Sequence, residues 1–228
     1  MPGDIDIAAM ASLLADPTRV TMLLALGDGG AHPASELAHR ARVTPATASI
    51  HLSRLLACGI ISVEKQGRNR YYRLTNLAIG AALEDLAACS PSLAVHSLRD
   101  ASVGEAIRRG RICYDHLAGK LGVEITQALV EKGMCVVLGE DYMLSDQGKY
   151  WLHDFGINNV PLEKKLPLVV PCHPDWSEHR RHIAGTVGAA LMDRLFELGW
   201  IKHIPSSRAV CVTEQGRSGL CQEFGLQW

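Results

Sequence analysis

Between residues 40 and 73 the chain gathers Arg40, Arg42, Arg54, Lys65, Arg68, Arg70 and Arg73 against one carboxylate, Glu64, although the formal net charge of all 228 residues is only -1. Such a local excess of positive charge suits a polyanion, above all the phosphates of duplex DNA. A second set of reactive side chains lies further along, in Cys113-Tyr114-Asp115-His116 and in the ligand-rich run from Cys172 to His182. Thiols and imidazoles are the ligands that a four-coordinate zinc or a thiophilic metal takes. Cys113 and His116, three apart, would share a face if helical, and Cys172 and His182 would complete the set if the fold brought the two segments together. The other use of this region is a partly apolar effector pocket lined by Tyr114, Trp151 and Trp176 with Arg180 as a charged anchor. Against both stand the ordinary roles of these residues, tryptophans filling a core and histidines packing or capping helices.

The elements that must position the cationic set can be placed from local signals. Ile7, Met10, Leu13 and Leu14 recur at helical spacing, and Asp16-Pro17 ends that helix and opens another, apolar helix to about Leu26, closed by Gly27-Asp28-Gly29-Gly30. A short helix over about Ser35 to Ala41, a turn at Arg42-Val43 and a longer helix opened by Thr44-Pro45 have helix-turn-helix spacing. Thr44 is a good N-cap and Pro45 fits a first helical position, having no N–H to leave unpaired. Ala48, Leu52, Leu55 and Leu56 form that helix's buried stripe, which leaves Ala46, Ser49, Ile50, Ser53 and Arg54 facing outward. Gly59 stops the helix. Ile60 to Glu64 then alternate as a strand, turn at Gln66-Gly67-Arg68-Asn69 and return through Tyr71 to Leu74, a hairpin whose tip carries Arg68, Asn69 and Arg70.

Asp16 to Arg19, Ser35 to Ala38, Ser49 to Leu52, Gly59 to Ile61 and Gly67 to Arg70 together resemble the arsenic-repressor (ArsR) family of winged-helix regulators over roughly residues 7–90. The resemblance implies a homodimeric repressor that reads a palindromic operator in double-stranded DNA. Its recognition helix would use Thr44, Pro45, Ala46, Ser49, Ile50, His51 and Arg54, and its wing Arg68, Asn69 and Arg70. It also implies that the first helix and the one after the wing, about Leu77 to Ala88 with Leu77, Ala81, Leu83, Leu86 and Ala87 on its apolar side, pack across the two-fold axis. Two metal sites common in the family are absent. Glu36-Leu37-Ala38-His39-Arg40 carries no thiol before the recognition helix, and Leu77 to Ala88 carries no histidine. Effector binding is therefore expected further on.

There the chain repeats itself. HLAGKLGVEITQALVEKG (116–133) aligns without a gap to HIAGTVGAALMDRLFELG (182–199), Ser145-Asp146-Gln147-Gly148 to Thr213-Glu214-Gln215-Gly216, and Phe155-Gly156-Ile157 to Phe224-Gly225-Leu226. Each copy runs helix, glycine, strand, turn, strand, Ser/Thr-x-x-Gly and helix, the order of the second half of the winged helix. Two wing-like halves about a pseudo-two-fold are expected. Glu124, Glu131, Asp193 and Glu197 suit them to sensing or interaction rather than to DNA.

The predicted fold class is α+β, mainly α with short hairpins. A winged helix-turn-helix over 1–90 should be followed by a linker or helix over 91–110 and a duplicated domain over 111–228, its repeats about 111–158 and 172–228. At 47% hydrophobic and 21% charged residues the chain has a globular composition. No apolar run reaches the roughly 20 residues of a membrane span, and MPGDIDIAAM has no basic flank before an apolar stretch, so a cytoplasmic protein without membrane association is expected. The odd set of scattered cysteines, 7 in all, fits reduced thiols. An enzyme using Cys113 or Cys172 as nucleophile finds no support in a phosphate loop, nucleophile elbow or His-Glu-x-x-His motif. A pure protein-interaction module fits the intact Thr44-Pro45 cap and arginine-tipped wing poorly. The sequence names no cofactor beyond a zinc or thiophilic ion at Cys113, His116, Cys172 and His182, and the expected effector is a small molecule or a metal, with sensing through a reactive thiol as the other alternative.

Overall fold

The computed structural model describes residues 5–91, 94, 97–161 and 168–228. Two compact units emerge, Met1–Gly80 and Ala81–Trp228. This division falls ten residues before the one expected from sequence, inside the helix that follows the wing. Part of the expected linker, residues 92, 93, 95 and 96, lies outside the described residues, as does the side chain of Leu77.

In the first unit the order is α1 (Ile7–Leu14), α2 (Pro17–Ala25), β1 (His32–Pro33), α3 (Ala34–Arg40), α4 (Pro45–Ala57), β2 (Ile61–Gln66) and β3 (Asn69–Leu74), and α5 (Leu77–Cys89) begins here. The boundaries follow from capping chemistry. Asp16 accepts from the Arg19 N–H at 3.0 Å to cap α2, and Thr44 accepts from the Thr47 N–H at 3.2 Å to cap α4, each followed by proline at the first helical position. Arg19 is buried because its guanidinium donates to the last carbonyls of α1, Leu13 O at 2.7 Å and Ser12 O at 2.9 Å, closing the α1–α2 corner. Met22, Leu23, Leu26, Leu37, Ala48, Leu52, Leu55, Ile60, Ile61, Tyr72 and Leu74 form the core beneath. Strands β2 and β3 pair from Ile61↔Leu74 to Gln66↔Asn69, and β1 joins the other edge of β3. The two-residue turn needs a positive φ, which Gly67 supplies at +61° without the penalty a side chain would carry.

The second unit continues with α6 (Leu98–Arg109), then β4 (Arg111–Cys113), β5 (His116–Ala118), α7 (Gly119–Glu131), β6 (Cys135–Leu138), β7 (Asp141–Leu144), α8 (Asp146–Asp154) and β8 (Val169–Val170). A second series follows: β9 (Cys172–Pro174), β10 (Arg181–Ile183), α9 (Gly185–Glu197), β11 (Ile201–His203), β12 (Val210–Val212) and α10 (Glu214–Phe224). Each half is hairpin, helix, hairpin, helix, and matching residues make matching bonds. Ser145 Oγ donates to Gly133 O at 2.7 Å and accepts from the Gly148 N–H at 2.9 Å; Thr213 Oγ1 does the same with Gly199 O at 2.7 Å and Gly216 N–H at 2.9 Å. In the winged helix Thr75 Oγ1 donates to Gly59 O at 2.7 Å, a third use of one device that ties a hairpin's exit to the glycine ending the helix before it. One core, including Leu121, Ile125, Leu129, Leu144, Leu152, Leu191, Leu195, Leu220 and Phe224, serves both halves.

The glycines of the Ser/Thr-x-x-Gly corners sit against backbone. A Cβ on Gly216 would lie 2.0 Å from Trp200 O, and one on Gly148 2.1 Å from Met134 O. Gly216→Ala is expected to destabilise the second unit by roughly 2–3 kcal/mol. Gly104→Ala, in open space within α6, should be neutral or stabilising by up to ~1 kcal/mol. Urea denaturation followed by tryptophan fluorescence compares them, since Trp151, Trp176, Trp200 and Trp228 all lie in this unit.

Candidate functional site

The first unit presents one face of α4 outward. Thr44, Pro45, Ala46, Ser49, Ile50, Ser53 and Arg54 are exposed, while Ala48, Leu52 and Leu55 are buried, so the helix shows small side chains at its N-terminal turns and a cation further on. Ile50 is 58% exposed, an apolar side chain that the core does not use. Beside the helix the wing carries Lys65, Arg68, Asn69 and Arg70 in the open. An exposed helix of groove-sized side chains flanked by a cationic ribbon can meet base edges with the helix and phosphates with the ribbon.

Two residues of the sequence set lie elsewhere. His51 does not join the outward face: its side chain is 13% exposed and its Nδ1 lies 3.7 Å from Asp16, because position 51 turns toward the α2 N-terminus. Arg40 is withdrawn from the cationic surface. Its guanidinium is held by Glu36 at 2.6 Å and approaches Asp28 at 3.9 Å, with an 11% exposed side chain. The same group contains His32, whose Nε2 lies 2.8 Å from Asp28 and whose Nδ1 lies 3.3 Å from Glu36.

Hydrogen bonding to Asp28 raises the His32 pKa above 6.5 against the opposing effect of burial. Burial pushes Asp28 up, yet His32 overrules it and holds the carboxyl below its usual range. A histidine with a raised folded-state pKa stabilises fully below its unfolded value and ceases to do so as pH rises through the folded one. His32→Gln should therefore weaken the first unit more at pH 5.5 than at pH 8.5, read as amide exchange in α3 and α4. An equal effect at both values would show that the charge on His32 contributes nothing.

In the second unit the two equivalent hairpins bring a cluster together. In β4–β5 the cross-strand pair is Cys113↔His116, and in β9–β10 it is His173↔His182. The ligand atoms of Cys113, His116, His173 and His182 all lie within 4.8 Å of one another, with His116 Nε2 3.2 Å from His182 Nε2. Paired glycines make room. A Cβ on Gly188 would sit 3.1 Å from His116 Cβ, and one on Gly122 3.7 Å from His182 Cβ. Cys113, His116 and His182 are buried and His173 half-buried. Burial pushes the Cys113 thiol far up, reinforced by Glu84, while burial, followed by the His116 ring, pulls His173 and His182 down, His182 to about 3. His182 is thus a neutral imidazole at neutral pH, with one ring nitrogen free to accept.

Cys172 stands outside this cluster, contrary to the sequence expectation. It pairs with Ile183, one residue out of step with His182, so the strand pleat sends its side chain to the opposite face, where Sγ donates to Glu140 O at 2.7 Å. The pair Cys113–His116 also sits across a tight hairpin turn, with Tyr114 at φ +63°, rather than on a helix. His173 was missed because the turn from Asp175 to Arg180 is longer than Tyr114-Asp115. The findable signal was its place opposite His182. Burial raises the Cys172 thiol as well, despite a hydrogen bond from Arg181, and neither thiol has the depressed pKa of a nucleophile.

The expected aromatic pocket does not form. Trp151 stacks on Phe155 with centroids 5.0 Å apart and meets Phe224 edge-on at 5.8 Å. Trp176 lies under the Arg111 guanidinium at 4.6 Å, Tyr114 occupies its own turn, and Arg180 lines an open groove with Arg181, Gln127 and Tyr142.

Beneath the cluster lies an ion network that sequence reasoning also missed. Arg111 is fully buried between Glu84 at 2.9 Å and Asp175 at 3.0 Å, and Arg208 donates to the other oxygen of Glu84. Asp175 accepts from the Gly119 N–H at 2.6 Å and from Ser177 Oγ at 2.6 Å, and its Oδ2 faces His182 Nδ1 at 3.6 Å. His116 Nδ1 lies 2.9 Å from Asp115 Oδ1. Among the described residues no single helix is long and apolar enough to cross a membrane.

The family model described as "Bacterial regulatory protein, arsR family" matches residues 16–63. The chain is 41% identical over 212 residues to the uncharacterized HTH-type transcriptional regulator YdfF of Bacillus subtilis, covering 93% of this chain and 94% of that protein. Over 80 residues it is 38% identical to the HTH-type transcriptional regulator CmtR of Mycobacterium tuberculosis, 35% of this chain and 67% of that one. Among solved structures, the cadmium metal-sensor CmtR from the same organism aligns at 35% identity and TM-score 0.33, covering 40% of this chain and 92% of the other. Reduced HlyU from Vibrio cholerae aligns at 22% and 0.35, covering 38% and 90%. An identity of 41% over nearly the full length of a helix-turn-helix regulator, joined to a capped α4 inside the segment that the family model matches and a cationic wing directly after it, places this chain in the ArsR family of DNA-binding transcriptional regulators.

Proposed function

We propose that the chain acts in the cytoplasm as a homodimeric repressor whose hold on a palindromic operator is set by an effector bound in its second unit. The supporting observation is the exposure of the outward face of α4 together with that of the cationic wing tip. Ala46, Ser49 and Ile50 would address base edges, Thr44 and Pro45 the entry to the groove, and Arg54, Arg68, Asn69 and Arg70 the backbone and adjacent minor groove. Ile7 and Met10 on α1 and Leu86 on α5 are exposed apolar side chains, the material of a subunit interface. Ile7→Glu with Met10→Glu should convert the dimer to monomer in sedimentation velocity and lower operator affinity with it.

For the effector, the Cys113, His116, His173 and His182 cluster favours a metal ion over an organic ligand, since the aromatic residues that would have lined a pocket are dispersed. CmtR is a cadmium sensor, so metal response has a precedent in a relative.

The test is binding to DNA upstream of the chain's own gene as salt is varied. Specific retention with a steep salt slope supports the repressor, whereas equal, weak binding to any duplex would leave a protein-interaction module. Ser49→Ala and Ile50→Ala should alter sequence preference more than total affinity for duplex DNA.

A further inference from the structure

We propose that Cys113 Sγ, His116 Nε2, His182 Nε2 and a ring nitrogen of His173 form a closed, tetrahedral one-thiolate, three-imidazole site for a zinc-class divalent ion, with Asp115 and Asp175 as its outer carboxylates. This deepens the effector reading above by naming the ligands and the ion.

Geometry carries the assignment. With metal–nitrogen bonds of about 2.0–2.1 Å and metal–sulfur of about 2.3 Å, the edges of a tetrahedral site measure roughly 3.3–3.6 Å. The His116–His182 edge is 3.2 Å and no ligand pair exceeds 4.8 Å, so closing on an ion asks for shifts of about an ångström. The orientation of the rings points the same way. Asp115 Oδ1, 2.9 Å from His116 Nδ1, fixes a proton on that nitrogen, and Asp175 Oδ2 faces His182 Nδ1 at 3.6 Å. With the proton of His116 on Nδ1, its Nε2 presents a lone pair to His182 Nε2, and a cation between the two nitrogens would take the place of the single hydrogen bond that they can share. Carboxylate–histidine–metal relays hold ligating imidazoles in this way. In addition, His173 Nδ1 and His182 Nδ1 are buried without a hydrogen-bond partner, a cost that a bound ion and the tightened outer shell would remove.

Pseudo-symmetry explains how the site is assembled. Each half contributes one cross-strand pair from its hairpin, and the glycine in the first turn of each helix, Gly122 or Gly188, admits the histidine of the other half. The ion would therefore staple the two repeats.

The test is titration of the metal-free full-length chain with Co²⁺, followed by displacement with Zn²⁺. One equivalent of Co²⁺ should bind per chain, with the visible bands of a tetrahedral ion and a near-ultraviolet sulfur-to-cobalt band of one thiolate. Cys113→Ser should abolish the sulfur band and Cys172→Ser should leave both sets unchanged. Asp115→Asn should weaken Zn²⁺ binding by about 10–100-fold in chelator competition, and His173→Gln by more, each with unchanged circular dichroism. Failure of the metal-free chain to bind either ion, or loss of the sulfur band in Cys172→Ser rather than Cys113→Ser, would overturn the site. Operator binding by the metal-free chain is scored separately, so loss of the metal site would leave the repressor reading standing.

Discussion

Arg111→Ala is expected to destabilise the second unit by ~3–5 kcal/mol, the cost of leaving partners of a buried ion network unpaired. The guanidinium has no exposed surface and bridges Glu84 and Asp175, whose side chains are 4% and 0% exposed. Its removal leaves Asp175 without its guanidinium partner and Glu84 with Arg208 alone, and takes away the plane that rests on Trp176. The exposed pair Arg73–Glu64, 3.4 Å apart on the wing with both side chains about half exposed, serves as the control. Glu64→Ala should change stability by no more than ~0.5 kcal/mol. Urea unfolding read by tryptophan fluorescence measures the first, and amide exchange in the wing the second. A loss below ~1 kcal/mol for Arg111→Ala would mean that solvent reaches this network after all.

The same network sets an acid limit. Burial pushes Glu84 up, but Arg208 and then Arg111 overrule it and hold the carboxyl at about 2, and Arg111 keeps Asp175 low against its own burial. Carboxylates with depressed folded-state pKa values stabilise above their unfolded values and lose that contribution as pH falls through the folded ones. The second unit should therefore lose stability between about pH 4.5 and pH 2. Arg111→Ala should flatten that dependence.

On the DNA side, the double variant Arg68→Ala, Arg70→Ala should lower the slope of log affinity against log salt by about 4, one for each phosphate that the two wings no longer neutralise. Across a four-fold rise in salt that difference amounts to about 10²-fold in affinity. Both side chains are exposed at the tip beyond the Gly67 turn, with no structural duty in the core, so the protein should fold as before. The weakening should be similar for operator and unrelated duplex, in contrast to Ser49→Ala and Ile50→Ala. Electrophoretic mobility shift or fluorescence anisotropy at several salt concentrations reads it. An unchanged slope would remove the wing from the DNA interface.

What this chain's sequence determined by itself is whatever depends on residues close together along it. Asp16-Pro17 and Thr44-Pro45 place two helix starts because an N-cap oxygen and its N–H partner are three residues apart. Gly67 places the wing turn, and the aligned Ser145-x-x-Gly148 and Thr213-x-x-Gly216 announce two equivalent halves, because each bond involved spans one corner. Tertiary structure alone decided which side chains meet across the halves. Cys172 and His173 are neighbours in sequence but face opposite ways in a strand, and the length of one hairpin turn selects which of them stands beside His182. Arg111, Glu84, Asp175 and Arg208 come from four separate segments, and nothing local marks them as partners. Charge counting likewise assigned Arg40 to the DNA face, whereas Glu36, one helical turn before it, and Asp28 across the turn hold it in the fold. A sequence shows that such charges exist; only packing determines which are neutralised inside and which remain for a partner.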